Sequence, residues 1–157
     1  MEYSTGKIGR VFAARFYEGE PVYAGIEEIA RRAKVRSAFV LAVGGVKRGK
    51  VVQGPRKLTG PLEALVAEFD DAREIVAVGT LHWSTGKGKR PLLHLHGGIG
   101  RGGKAPIIGC PRQGLDTFMV LEVIIVEIKG LSATRALDPA TGLRLLCLAG
   151  ATQVRLT

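Results

Sequence analysis

The chain has 157 residues, 46% of them hydrophobic and 24% charged, with a formal net charge of +9. That balance excludes intrinsic disorder, and the length suits one domain over residues 1–157 that removes roughly 70% of its unfolded-chain surface from water. The 22 glycines, about twice ordinary usage, point to many turns or close backbone approaches.

The elements follow in chain order. Lys7 to Tyr17 alternates partly and carries Val and aromatic residues, which predicts a strand ended by the turn at Glu18-Gly19-Glu20-Pro21. Val22, Ile26, Ile29, Ala30 and Ala33 then recur every three to four residues and predict an amphipathic helix. Its Glu27 and Glu28 come early and its Arg31, Arg32 and Lys34 late, a placement that complements the helix macrodipole. Ser37 to Val43 reads as a buried strand closed by Gly44-Gly45, and Gly49 to Gln53 as a separate strand. Glu63 to Phe69 and Glu74 to His82 flank a polar Asp70-Asp71 turn. After a Gly/Lys loop at Ser84 to Lys89, Pro91 to His96 forms a short strand, and the Gly-rich Gly97 to Ala105 stretch is expected to be irregular. Phe118 to Lys129 makes a long strand and Gly142 to Leu148 the last one. The sum is an α+β fold: a mostly antiparallel sheet with one main helix and few additional helical turns.

Apolar runs at Phe39 to Val46 and Met119 to Ile128 are too short to span a bilayer, and the N-terminus lacks the pattern of an export signal. The expectation is a cytoplasmic protein with no membrane association. Cys110 and Cys147 are too few for a disulfide framework and are expected as thiols. The absence of Asn, with three Gln and two Met, suggests a thermophilic source.

Charge is unevenly placed. No acid lies between Glu28 and Glu63, or from Ile75 to Leu115, and the second interval holds Lys87, Lys89, Arg90, Arg101, Lys104 and Arg112. The first holds Arg31, Arg32, Lys34, Arg36, Lys47, Arg48, Lys50, Arg56 and Lys57; if the two basic zones share a face, they form a positive surface for nucleic acid, anionic ligands or an acidic partner. Lys87-Gly88-Lys89-Arg90-Pro91 is similar to an AT-hook core, but an extra residue separates its Gly from the Arg-Pro step. The Gly97 to Lys104 run lacks the Gly-Lys-Ser/Thr ending of a P-loop, and Ser84 and Thr85 lack a nucleophile elbow.

His94-Leu95-His96 carries the chemistry. On a strand, residues two apart point to one face, so both imidazoles can chelate one metal ion. A third ligand could be Cys110, whose thiolate favours zinc, or His82, one strand earlier. The interval offers no local carboxylate, so a general acid or base would come from another strand, such as Glu122 or Glu127. Arg112 or Arg135 could orient an anionic substrate, although Arg135 could instead pair with Asp138.

Taken together, Glu18-Gly19-Glu20, Ser37-Ala38-Phe39-Val40, Val43-Gly44-Gly45, Arg73-Glu74-Ile75-Val76, Gly79-Thr80, Leu93-His94-Leu95-His96, Ile107-Ile108-Gly109, Arg135, Asp138 and Thr141-Gly142 resemble, in order and spacing, the plant-and-prokaryote-conserved (PPC) domain. The likeness covers about residues 7 to 148 and fits the stand-alone prokaryotic type without an AT-hook. It implies an acetolactate-decarboxylase-like fold and a homotrimer with the H-x-H near a subunit boundary. It also implies association with DNA or a regulatory partner, and in several members a metal held by three histidines. Here Cys110 stands at the third histidine if no gap is allowed; with a gap, Pro111 takes the ligand's place. Two functions follow from the resemblance and these residues: a DNA-associated or partner-binding module with a metal site, or a lyase-like, zinc-dependent enzyme of small molecules using His94 and His96.

Overall fold

The structure is a computed structural model in which residues 1–59, 62–112 and 114–155 are described. Its strands are β1 (Glu2–Tyr3), β2 (Lys7–Tyr17), β3 (Ser37–Pro55), β4 (Ala64–Phe69), β5 (Arg73–Ser84), β6 (Pro91–Arg101), β7 (Lys104–Pro111), β8 (Asp116–Lys129), β9 (Ala133–Leu137), β10 (Arg144–Leu148) and β11 (Thr152–Gln153). Helix α1 (Val22–Arg32) is the only helix among the described residues. No helix there is long and apolar enough to cross a membrane. The fold is α+β with a mostly antiparallel sheet, as the periodicities require; the β5–β9 pairing alone is parallel among the ladders described.

α1 buries Val22, Tyr23, Ile26 and Ala30, one stripe at helical spacing, and lies against β6. Its first turn holds no acid, because the helix begins at Val22 and places Glu27 and Glu28 in its middle. Only the basic half of the expected macrodipole complement is present, in Arg31 and Arg32, both of which pair with Glu28 at 2.6 Å.

Two expectations are corrected. The strands expected at Ser37–Val43 and Gly49–Gln53 are one strand, β3, which runs through Gly44-Gly45 instead of ending there. A Cβ on Gly44 would lie 2.5 Å from the Val120 carbonyl oxygen, and one on Gly45 would lie 2.4 Å from that of Phe118. These glycines let β3 press against β8, where the register shifts and the strand can bend. The Gly97–Ala105 segment is also ordered. β6 continues to Arg101, and Arg101 pairs with Lys104 across a two-residue Gly102-Gly103 turn with Gly103 at φ 76°.

The long β3 organises the rest. Its first half pairs with β5 and β8, and its second half pairs with β4 and, at Val51 and Val52, with β7. Since β5 pairs with β6 and β6 with β7, the ladder closes on itself through β3. The core lines one face: Val40 and Ala42, Ala77 and Leu81, Leu95 and Ile99, Leu121, Val123 and Ile125, closed by Ile26 and Ala30 of α1. This leaves the opposite faces of β5 and β6 free to carry the histidines.

Candidate metal centre

Leu93 and Leu95 are buried, so the alternating residues of β6 turn His94 and His96 to the other face. Their Nε2 atoms are 3.2 Å apart, with the rings 4.9 Å between centroids and nearly perpendicular. β7 folds back along β6 and delivers Cys110, which is 4% exposed. The two imidazole nitrogens and the Cys110 Sγ all lie within 4.8 Å of one another.

These separations fit one ion. Zn–N bonds of about 2.05 Å and a Zn–S bond of about 2.3 Å at tetrahedral angles place two nitrogens about 3.3 Å apart and nitrogen and sulfur about 3.5 Å apart. Closing the set around a metal therefore takes about 1 Å of side-chain movement, within rotamer adjustment. The three residues could hold a metal ion.

The electrostatics favour the ligating forms. Burial, reinforced by Arg135, His96 and Arg112, pushes His94 down to about 4, so its imidazole is neutral at physiological pH. Burial raises the Cys110 thiol, while Arg112 and Arg135 oppose that rise. A bound divalent cation would strip the proton outright.

His82, the alternative third ligand, is elsewhere. It is 2% exposed, its Nδ1 lies 3.1 Å from Ser37 Oγ, and burial pushes it down to about 4. Among the described residues only His94, His96 and Cys110 form a cluster of this kind. Pro111 contributes its carbonyl oxygen to the Tyr23 hydroxyl.

Beside the centre opens a pocket of about 330 Å³ whose lining includes Tyr23, Glu27, Leu92, His94, Cys110 and Arg112. Its carboxyl comes from neither of the expected residues, both of which lie on β8. Glu127 is held by Arg10 at 2.8 Å, and Glu122 is exposed opposite Arg15 on β2. The carboxyl is that of Glu27, from α1, which accepts the Leu93 N–H at 3.0 Å and is raised by burial. The helical stripe placed Glu27 next to the buried Ile26, but nothing local in the sequence aimed it at β6.

Arg135 does not pair with Asp138, which is bonded instead by the Thr141 hydroxyl at 2.6 Å. Arg135 is 6% exposed; its Nη2 donates to Thr80 Oγ1 at 2.8 Å, and its buried Nε has no partner among the described residues.

The six cations named for an anionic partner do not share one patch. Lys87, Lys89 and Arg90 sit in the loop before β6, whereas Arg101 and Lys104 sit at its far end. The length of the 11-residue β6 separates them, about 35 Å. Arg101 and Lys104 are also drawn to Asp71, at 3.7 and 2.7 Å. Arg112 stands apart, at the metal pocket.

A closed antiparallel ladder with one packed helix and an H-x-H strand defines the class of protein. Residues 3–129 match the Plants and Prokaryotes Conserved (PCC) domain, and the chain belongs to that family. No match was found among the curated proteins. Among solved structures, a metal-containing protein from Archaeoglobus fulgidus is similar with a TM-score of 0.78 at 23% identity, over 94% of this chain and 99% of that one. A PPC protein from Pyrococcus horikoshii gives a TM-score of 0.76 at 20% identity, over 99% and 100%. A protein from Ralstonia eutropha named as a candidate DNA-binding protein gives 0.71 at 20% identity, over 87% and 90%.

Proposed function

We propose that this PPC-family protein is a homotrimeric module, a single cytoplasmic domain, that binds one zinc ion per chain through His94, His96 and Cys110. The observation that carries the reading is the convergence of three ligand atoms within 4.8 Å from two strands. The metal-containing relative in Archaeoglobus fulgidus supports it. Bound zinc would supply a Lewis acid and an activated water. Around it, Glu27 would hold or release a proton, and Leu92 and Leu93 would limit water.

Assembly is supported by the face that carries the histidines. Ile124, Leu41, Val78 and His96 form one row across β8, β3, β5 and β6, and directly opposed side chains share a face. Phe39, Val76, Val78, Ile108 and Ile124 are exposed on or beside it. A second copy of this chain covers that patch and places the metal centre near the subunit boundary, as the PPC resemblance implies. The test is metal analysis of protein purified without a histidine tag, together with light scattering. One zinc per chain and a threefold mass are expected; less than a tenth of an equivalent after zinc incubation, or a monomer, refutes the corresponding half.

A second reading, association with DNA, is favoured by one observation. Among the described residues Lys87, Lys89 and Arg90 form no ion pair, while Arg31, Arg32, Lys47, Arg48, Lys50, Arg56, Arg101 and Lys104 of the basic intervals are matched by acids. Arg36, over the Trp83 ring, lines a neighbouring pocket with Lys89. Phosphate contacts from this loop would be sequence-tolerant and salt-sensitive. Replacing all three loop cations by Ala is expected to flatten the salt dependence of DNA binding, and unchanged binding would refute the reading. The Glu27 carboxyl beside the metal site supports the alternative of a lyase-like enzyme.

A further inference from the structure

Among the described residues Arg135 is a buried cation without an anion. Removing a guanidinium from water is costly unless its donors are matched, and here the Thr80 hydroxyl takes Nη2 while the buried Nε is left without an acceptor. Among the described residues no carboxylate pairs with it. Asp138 is occupied by Thr141, Glu127 by Arg10, and Glu27 by the Leu93 amide.

The position is as informative as the deficit. Arg135 is held at the end of β5 by the parallel pairing of β9, and Thr80, its one partner, stands directly opposite His94 in the β5–β6 ladder. Opposed residues have Cβ atoms about 5 Å apart, so Arg135 approaches the metal centre from the Thr80 side. Its charge reaches His82, His94 and Cys110. Arg112 acts on His94 and Cys110 as well. Two neutral imidazoles, one thiolate and a divalent ion sum to a single positive charge, and the two arginines raise it further.

We propose that Arg135, anchored by Thr80 and facing His94, binds a small carboxylate ligand, one oxygen on its unpaired Nε–H and the other directed to the His94–His96–Cys110 centre. This deepens the metal reading and rests on it for the second oxygen; the arginine contact stands without it. A carboxylate is favoured over a phosphate because one buried free donor and one open metal position match two oxygens, whereas a phosphate dianion calls for several more donors.

The experiment is calorimetric titration of metal-free and zinc-loaded protein with acetate and, separately, inorganic phosphate. It is run on wild type, Arg135→Met and the charge-matched surface control Lys7→Met. Saturable acetate binding to the wild type is expected, weakened tenfold or more in Arg135→Met and unchanged in Lys7→Met, with equal zinc uptake in all three. Ligand-free Arg135→Met should melt no lower than the wild type, since it removes an unmatched buried cation. Arg135→Lys, which keeps the charge but removes Nε–H, should lose acetate as Met does and serves if the Met variant fails to fold. Absent acetate binding, a preference for phosphate, or full binding by either variant overturns the proposal, as does a steep fall in the ligand-free melting temperature of Arg135→Met. Acetate binding without zinc uptake sinks the metal reading and leaves the arginine site standing.

Discussion

Replacing Cys110 by Ala gives the sharpest test of the metal centre, because zinc binding to the native state adds stability that a melting curve reads directly. At a free zinc concentration a hundred times the dissociation constant, the native state gains about 2.7 kcal/mol. For a chain of 157 residues that raises Tm by about 5–11 °C. Losing a residue that only orients a ligand weakens metal affinity about 10–100-fold, so losing one of three direct ligands weakens it by roughly the upper figure or more. At the same zinc concentration the Cys110→Ala protein then gains about 0.4 kcal/mol, or about 1–2 °C. Because the buried Cys110 also fills space, the comparison is between zinc-loaded and metal-free Tm within each variant, never between variants. Cys110→His, which places a third imidazole at the position, should retain most of the gain. Calorimetry measures all six values, and cobalt substitution should add a sulfur-to-metal absorption band in the wild type alone. Equal zinc-induced shifts in the wild type and Cys110→Ala would refute the three-ligand centre.

Gly79→Ala should destabilise the protein and loosen the same site, because its Cβ would lie 1.9 Å from the His94 carbonyl oxygen and must push β6 away by about 1 Å. A cost of about 3 kcal/mol and a Tm lower by about 6–12 °C are expected, with weaker zinc uptake; a Tm within experimental error of the wild type would refute the close approach. Acid should unfold the protein in part through Glu127. Arg10 holds its carboxylate at about 2, below the ordinary 4.5, so the contribution is complete above pH 4.5 and is lost as pH falls towards 2. Glu127→Gln should therefore shrink the difference in stability between pH 6 and pH 3, read by denaturant titration at each pH, and an unchanged difference would count against the pairing.

The elements with an unbroken period were legible in the sequence. β2, α1, β5 and β8 fall within a residue or two of their expected bounds, since alternation or a helical stripe records which side faces the core. The errors share one cause. Gly44-Gly45 and the run from Gly97 look like terminators when read locally, yet in the fold they are places where one backbone approaches another or turns back on it. A glycine's reason for being there is a neighbour, and that neighbour is distant in sequence. The short β9 carries too little pattern to be found, although it holds Arg135.

The sequence by itself determined that His94 and His96 share a face, because the two-residue repeat of a strand is a local property of the backbone. It also determined that the helix buries its Val22–Ile26–Ala30 stripe. Only the tertiary structure decided that Cys110 and not His82 meets the histidines, and that Glu27 reaches Leu93 across 66 residues and Arg135 reaches Thr80 across 55. It decided too that the basic interval divides between the two ends of β6. Hydrophobic period fixes direction within one element, whereas pairing between strands fixes which elements meet. The chemistry of this site depends on the second.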